Sequence, residues 1–257
     1  MNETVYARTI LTGNLSGSPV SVRYRRDDGM FADTTMGRVP WSEVLAGMPV
    51  REFRAWRGCR HYSGWYWSST TGAHVVYESR LELARILLAD RDGDVVAIAA
   101  QPMLLEGADG CRVRRHVPDL LLGHRDGSLT VVDVKAAARL SDPAVVAQFA
   151  WTRRLCAEHG LGFEVWSGTN PIELENLRFL AGYRRPGTVQ AELILPVLHA
   201  ALAPITVAEL ERSMAALAPV TVVRPVILRL LWQSRLTADL TRPLSGDTVV
   251  TSAEVPA

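Results

Sequence analysis

Lysine is almost absent from this sequence. Of its 28 basic residues 27 are arginine, and Lys135 is the only lysine. A GC-rich genome gives such a bias, because its codons favour arginine and alanine over lysine. The compact ammonium of lysine and the planar guanidinium of arginine are not interchangeable where a site uses the charge. We therefore expect Lys135 to occupy a position that does not accept arginine.

Cysteine is scarce as well, and Cys59, Cys111 and Cys156 lie far apart in the chain. Three widely spaced cysteines show neither the paired spacing of a zinc finger nor an even-numbered disulfide framework. We expect them to be reduced, and mostly buried as small apolar side chains.

Long apolar runs are missing too. No segment approaches the roughly 18 to 20 apolar residues of a membrane span, and Met1 to Ile10 lacks the basic-then-apolar layout of a signal peptide. The net charge of +1 does not by itself indicate nucleic-acid binding. Hydrophobic residues at 48% and charged residues at 21% of 257 residues are typical of a globular protein. We expect one large or two small domains, no membrane span and a cytoplasmic location.

Hydrophobic periodicity and turn residues predict an alternating series of elements between residues 77 and 183. They are a helix at Tyr77–Asp90, a strand at Val95–Ala100, a second strand at Cys111–Val117 after which Asp119–Gly123 continues extended, a turn at Gly127, a third strand at Leu129–Lys135, a helix at Pro143–His159, a strand at Gly162–Trp166 and a helix at Pro171–Tyr183. Neighbouring strands followed by a crossover helix and a further strand indicate an α/β fold, with a mixed sheet flanked by helices.

The composition changes after Arg184–Gly187, which suggests a second unit. Two or three helices are predicted there, at Thr188–Leu202, Thr206–Leu217 and Val222–Ser234, followed by short strands at Leu236–Leu240 and Thr248–Thr251. Helices followed by a hairpin are typical of a winged helix. The predicted domains are an N-terminal extension of turns and short strands at 1–70, the α/β domain at 71–186 and a C-terminal winged-helix-like domain at 187–257.

Acidic residues and the single lysine converge on one end of the predicted sheet. Asp133 and Lys135 are two apart on a strand, so their side chains share a face. Asp119 follows Pro118 on the neighbouring strand, and the short turn between the strands brings it close. Glu78 and Glu82 lie one turn apart on the preceding helix. Either could complete the cluster, and spacing does not choose between them.

Clustered carboxylates beside an ammonium suit metal-dependent phosphodiester cleavage. Mg²⁺ takes oxygen ligands and usually keeps several waters. A bound metal lowers the pKa of an attacking water and offsets charge that builds on phosphorus. A nearby lysine can orient that water or stabilise the charge. An Asp-x-Lys pair alone is weak support, since motif matches have high false-positive rates.

The same residues resemble a known family, the PD-(D/E)xK restriction-like nucleases. Pro118-Asp119 and Asp133-Val134-Lys135 correspond to the motif, after an acidic helix. Within that superfamily the chain resembles the TnsA-type endonuclease subunit of heteromeric transposases over residues 40 to 251. The segments that carry this closer resemblance are Ser79–Leu83, Gln101-Pro102, Val134–Ala138, Asn170–Leu180 and Leu236–Thr251. Asp133 stands where that family can carry glutamine.

The resemblance implies a fold, an activity and partners. The fold would be a restriction-endonuclease-like core with a C-terminal winged helix. Glu82 rather than Glu78 would join Asp119 and Asp133 in holding Mg²⁺ or Mn²⁺, and Lys135 would position water or stabilise charge. The enzyme would cut the 5′ strand at transposon ends. A TnsB-like DDE transposase would cut and join the 3′ ends, and a TnsC-like AAA+ regulator would contact the C-terminal domain.

Two other functions stay open. The chain could be a non-catalytic assembly subunit that keeps the nuclease fold and bridges transposase, regulator and DNA. It could also be a restriction or repair nuclease of the same fold, with the same chemistry and a different substrate.

Four further features have two interpretations each. The basic strand Arg112–Arg115 could contact phosphates or be a solvated face. His116 could shuttle protons, although a metal-activated water does not need a histidine base. The aromatic run Tyr62–Trp67 could stack on bases, but packing or partner binding is the favoured role. The apolar helix Val222–Ser234 is expected to pack in a core or contact protein rather than read DNA bases.

Overall fold

The computed structural model describes residues 19–51, 62–185, 187 and 189–253. Cys59 and the predicted helix start at Thr188 lie outside the described residues. The chain contains thirteen strands and seven α-helices within these ranges. The strands are β1 Ser21–Arg25, β2 Phe31–Thr35, β3 Gly64–Trp67, β4 His74–Tyr77, β5 Val95–Ala100, β6 Met103–Asp109, β7 Arg112–His116, β8 Leu120–His124, β9 Leu129–Val134, β10 Gly162–Trp166, β11 Ile205–Thr206, β12 Leu236–Thr237 and β13 Val249–Ser252. The helices are α1 Trp41–Ala46, α2 Arg80–Arg91, α3 Pro143–Glu158, α4 Pro171–Leu180, α5 Ile194–Ala200, α6 Val207–Ser213 and α7 Val220–Trp232.

The strands form two four-stranded sheets and two smaller ones. The first sheet has the order β2-β1-β6-β7 and is antiparallel throughout. The second has the order β10-β9-β8-β5, in which β10 is parallel to β9 and the other pairs are antiparallel. β3 and β4 form a hairpin, and β11-β13-β12 form a three-stranded sheet. The predicted α/β class and mixed sheet are confirmed.

The second sheet separates two hydrophobic clusters. Val132 and Val134 of β9 belong to the larger cluster, together with side chains of α2, α4 and α7. Val131 points to the other face and belongs to the smaller cluster, with Trp151 of α3 and residues of the first sheet. Alternation along the strand therefore directs neighbouring residues to different cores, as expected for a sheet buried on both faces.

Several predicted bounds match the structure. β5 and β10 have the predicted limits. α3 begins at Pro143 after an Asp142 cap and ends before Gly160, whose φ is +70°. Pro is tolerated at the first helical position and Gly just beyond the last, so these two residues delimit the helix. Gly127, with φ +86°, lies in the turn between β8 and β9.

The predicted start of α2 is wrong. Tyr77 is the last residue of β4, and the helix begins three residues later at Arg80. Ser79 is extended and its Oγ accepts a 3.0 Å hydrogen bond from the backbone N–H of Glu82. Such a bond satisfies a backbone donor that the first turn leaves without a partner, so Ser79 fixes the start of the helix.

Three of the C-terminal elements, α5, α6 and β12, are shorter than predicted, whereas α7 and β13 have the predicted lengths and are shifted by one or two residues. The α5 helix covers Ile194–Ala200 and follows a short 3₁₀ turn, while α6 covers Val207–Ser213. A capping box between Thr206 and Glu209 sets the start of α6. β12 ends at Thr237, because Asp239 accepts from Thr241 and turns the chain.

Two further sequence expectations are changed by the fold. β6 was not predicted; it pairs with β1 at residues 103–106, so residues 19–51 share a sheet with later strands. The expected burial of Cys111 is wrong, because this free cysteine lies exposed next to the turn before β7. Cys156 is buried on α3, and burial together with the charge of Asp133 raises the pKa of its thiol to about 12.

No helix among the described residues has the length and apolar character needed to cross a bilayer.

Candidate active site

Gln101, Asp119 and Asp133 lie side by side on three neighbouring strands. Gln101 directly follows β5, Asp119 directly precedes β8, and Asp133 is the last residue but one of β9. Ala100 of β5 pairs with Leu120 of β8, which in turn pairs with Val132 of β9. One residue further, the N–H of Gln101 donates to the carbonyl of Asp119 at 2.9 Å. The same register places Asp119 directly opposite Asp133, and opposed residues in an antiparallel pair are close neighbours on one face.

Asp119 is the centre of this group. It is partly buried, and its Oδ2 accepts a 2.6 Å hydrogen bond from the N–H of Val134. The pKa of Asp119 is raised to about 7, mainly by burial. The charges of Glu82 and Asp133 contribute to this rise, whereas the hydrogen bond from Val134 and the charge of Lys135 oppose it. The four residues selected from the sequence are therefore near enough to interact electrostatically.

Glu82 lies in the first turn of α2 and helps to cap it. Its Oε1 accepts from the Ser79 hydroxyl at 2.8 Å, and its Oε2 accepts from the N–H of Glu78 at 2.8 Å. Burial raises the pKa of Glu82, against the lowering effect of these hydrogen bonds. Glu78 instead forms an ion pair with Arg51 at 3.5 Å. Glu82 is thus the glutamate whose charge acts on Asp119.

Lys135 follows the last residue of β9. Its N–H donates to the carbonyl of Trp166 at 2.9 Å, which extends the pairing of β9 with β10 by one residue. The side chain is partly buried, and its ammonium makes no hydrogen bond or ion pair within the described ranges. Its charge lowers the pKa of Asp119. The single lysine therefore contributes an uncommitted positive charge beside the carboxylates.

Asp133 has a different environment from Asp119. Its side chain is 2% exposed, and both of its oxygens lie 2.9 Å from Nε2 of His116. A carboxylate only accepts hydrogen bonds, so the Nε2–H of His116 is the donor. The sequence did not predict this contact, because His116 belongs to a strand of the other large sheet. Its only sequence signal is its position three residues before Asp119.

Gln101 belongs to one of the segments that carry the family resemblance, but the sequence did not predict its strained backbone or its buried side chain. It has φ +46°, which non-glycine residues rarely adopt, and its side chain is buried. Neither its amide nitrogen nor its amide oxygen has a hydrogen-bond partner in the described part of the protein. A strained residue with unsatisfied polar atoms at the end of β5 points to a requirement other than stability.

The basic strand β7 is largely committed to ion pairs. Arg114 binds Asp109, which also accepts from Arg154 at 2.7 Å, and Arg115 pairs with Glu106 at 2.7 Å. These contacts favour a solvated sheet surface over free phosphate-binding side chains.

The aromatic run divides into buried and exposed members. Tyr66 is buried and donates to Asp90 at 2.6 Å, whereas Tyr62 and Trp65 are more than half exposed. Arg184 stacks on the ring of Tyr66. In α7, residues such as Leu230 and Trp232 are buried, which confirms the expected core packing of that helix.

The donor chemistry at this end of the sheet fits a hard divalent cation. Glu82 and Asp119 are partly buried carboxylates, and the charge of Glu82 raises the pKa of Asp119. Mg²⁺ is commonly bound by one or two carboxylates plus waters. Among the described residues, no three His, Cys, Asp or Glu side chains are arranged so that they could hold a metal together. A cation here would therefore take its remaining ligands from water or a bound phosphate.

No protein-family model matches this sequence, and no curated protein matches it.

Proposed function

We propose that this chain is a metal-dependent DNA endonuclease, the TnsA-type subunit of a heteromeric transposase. The observation that carries the proposal is the placement of Asp119 opposite Asp133, with Glu82 and Lys135 acting on the charge of Asp119. The charges of Glu82, Asp133 and Lys135 all act on Asp119, which immediately precedes β8. Perturbed carboxylates of this kind are concentrated at functional sites.

The architecture supports this proposal in two places. A mixed sheet of β5, β8, β9 and β10 has α2 on one face and α3 on the other, which is similar to a restriction-endonuclease-like core. The order α5, β11, α6, α7, β12 and β13, with the three strands in one sheet, is similar to a winged helix. Both similarities concern fold, and function is inferred from the site.

Each site residue would have a distinct task. Glu82 and Asp119 would hold Mg²⁺ or Mn²⁺ through carboxylate oxygens. Asp133 would add a third negative charge beside Asp119. When bound, the metal supplies a more acidic water and offsets negative charge on the phosphate. Lys135 would orient the attacking water or stabilise charge on the scissile phosphate with its uncommitted ammonium.

The substrate and partners follow from the family resemblance. The reaction would be cleavage of the 5′ strand at transposon ends in the cytoplasm, beside a TnsB-like DDE transposase. A TnsC-like AAA+ regulator would contact residues 187–257. The net charge of +1 and the paired arginines of β7 suggest weak DNA affinity for the isolated chain, so we expect cleavage to depend on the transposase.

Strand cleavage in Mg²⁺ tests the proposal directly. The substrate is a supercoiled plasmid that carries the transposon ends, incubated with the full chain alone and with the transposase from the same locus. Asp119→Asn and Lys135→Ala are expected to lower the cleavage rate by about 100-fold or more. Asp126→Asn, an exposed carboxylate in the turn of the same hairpin, is the matched control and should keep full activity. Cleavage by Asp119→Asn at the wild-type rate would refute the assignment.

A non-catalytic bridging subunit is the second candidate. It is favoured by the structural roles that two of the carboxylates already have, Glu82 in capping α2 and Asp133 in binding His116. A calorimetric titration separates the two, because a bridging subunit would show no saturable Mg²⁺ or Mn²⁺ binding. A restriction or repair nuclease would share the chemistry and would cleave plasmids without transposon ends equally well.

A further inference from the structure

We infer that Asp133 is a positioning residue and not a metal ligand, and that with His116 it fixes the segment carrying Asp119, while Glu82 and Asp119 hold the cation. The inference rests on the proposed function and assigns separate roles within its acidic cluster. It departs from the expectation that all three carboxylates bind the metal.

His116 already occupies the place that a cation bound by both oxygens of Asp133 would take. Its Nε2 lies 2.9 Å from each oxygen of Asp133, so the N–H points between the two oxygens. A cation bound by both oxygens of a carboxylate lies in the same position. Coordination of Asp133 would therefore require His116 to withdraw.

Asp133 is also poorly accessible to a hydrated ion. Asp133 has a side chain that is 2% exposed, and the His116 side chain above it is 15% exposed. On the sheet face of Asp133 lie buried side chains of the smaller cluster, including Val131 and Cys156. Mg²⁺ gives up its waters reluctantly, so a hydrated ion is poorly suited to this enclosed position.

Asp119 and Glu82 are more accessible to a hydrated ion than Asp133 is. Both are partly accessible, and neither is bonded to a basic side chain. Oδ1 of Asp119 has no hydrogen-bond donor among the residues the structure describes. These two carboxylates can therefore accept a cation that keeps most of its waters.

The position of His116 explains what its contact with Asp133 does. His116 is the last residue of β7 in the first sheet, and Asp119 immediately precedes β8 in the second. The three-residue step between them crosses from one sheet to the other. The hydrogen bonds from His116 to β9 hold this crossing segment against the strand that supplies Val134. They thereby fix the register in which Asp119 accepts from the N–H of Val134.

Nuclear magnetic resonance of the wild-type protein tests this division of roles. Two N–H groups serve as reporters while Mg²⁺ is added: the Nε2–H of His116 and the backbone N–H of Val134, which donates to Asp119. The His116 signal is identified among the six histidines by its loss in His116→Gln and by its shift in Asp133→Asn. The titration itself uses the unmodified chain, so it does not depend on how well either variant folds.

The three possible outcomes are distinct. We expect Mg²⁺ to shift the Val134 signal saturably and to leave the His116 Nε2–H in place. If Mg²⁺ moves or removes the His116 signal, with or without a shift of the Val134 signal, Asp133 is a ligand and the inference is overturned while the proposed function stands. If neither signal responds at saturating Mg²⁺, the metal site of the proposed function is itself refuted, and the inference with it.

Discussion

The backbone N–H of Val134 donates a 2.6 Å hydrogen bond to the side chain of Asp119, at the point where the backbone pairing of β8 with β9 ends. Backbone pairing connects β8 and β9 as far as Leu120 and Val132. Beyond that pair, the side chain of Asp119 takes the place of a backbone acceptor and connects the two segments once more. This bond fixes one oxygen of Asp119 and leaves the other for a ligand. The position of the carboxylate is set by backbone register, which is among the most rigid features of a sheet.

The first prediction concerns pH and Mg²⁺. Since burial raises the pKa of Asp119 to about 7, the metal-free protein carries a proton there below that pH. A cation binds the ionised form, so Mg²⁺ affinity should fall by up to about tenfold per pH unit as the pH drops below 7. Calorimetry in buffers with different ionisation enthalpies should show release of close to one proton at pH 6 and almost none at pH 9. Asp119→Asn should abolish this release.

The raised pKa of Asp119 also makes the stability of the protein depend on pH. The folded state holds the proton of Asp119 more tightly than the unfolded chain does, so this group makes the metal-free protein less stable as the pH rises through about 7. Saturating Mg²⁺ should remove that loss. A stability profile unchanged by Mg²⁺ at pH 8 would contradict the link between Asp119 and the cation.

The second prediction concerns the only lysine. Lys135→Arg should lower cleavage by about 100-fold, close to the effect of Lys135→Ala, because a planar guanidinium does not replace a compact ammonium beside the scissile phosphate. Folding should be unaffected, since the side chain is partly exposed and makes no ion pair in the described part of the chain. Circular dichroism melting is the control. Full activity of Lys135→Arg would leave codon bias as the sole reason for the single lysine.

Local signals explain which parts of the fold could be predicted. β5 and β10 are short apolar runs bounded by turn residues, and α3 lies between Pro143 and Gly160. β6 lacks such a pattern, because Glu106, Gly107 and Asp109 interrupt its apolar residues. It is a strand because β1 and β7 pair with it on both sides. Long-range pairing of this kind leaves little trace in one segment of sequence.

Some residues of the candidate site could likewise be predicted from local signals, whereas others could not. Alternation on one strand predicted that Asp133 and Lys135 share a face, and the tight turn predicted that Asp119 lies close to them. The charges of both residues act on Asp119. The contact between His116 and Asp133 depends on how the two large sheets pack, so no spacing rule could reveal it. The separate environments of Asp119 and Asp133 are a consequence of that packing.

The third prediction concerns Asp90, which anchors the β3–β4 hairpin to α2. Its buried carboxylate accepts from the hydroxyls of Tyr66 at 2.6 Å and Ser68 at 2.7 Å, and from the N–H of Thr70 at 2.7 Å. Asp90→Ala should lower the free energy of unfolding by about 3 kcal/mol or more, since each buried donor left without an acceptor costs about 1–3 kcal/mol. Urea denaturation measures this change.

The matched control for Asp90 is a carboxylate on the surface. Asp27 is exposed, and Asp27→Ala should change stability by less than about 0.5 kcal/mol. Burial and the charge of Asp90 raise the pKa of the Tyr66 hydroxyl, so the tyrosine remains a donor at all ordinary pH values. Equal stability of the Asp90→Ala and Asp27→Ala variants would show that the hairpin is held by other contacts.

The fourth prediction concerns Gln101, where backbone strain and an unsatisfied amide coincide beside Asp119. Gln101→Gly and Gln101→Ala both remove the buried amide, but only glycine adopts φ +46° without strain. The glycine variant should therefore be more stable than the alanine variant by about 1–2 kcal/mol, which corresponds to a Tm difference of roughly 2–8 °C for a chain of this size. If the amide serves the cleavage site, both variants should lose activity regardless of stability, because strain at a functional position is retained for what it positions. Unchanged cleavage by the glycine variant would instead assign Gln101 to the local backbone geometry alone.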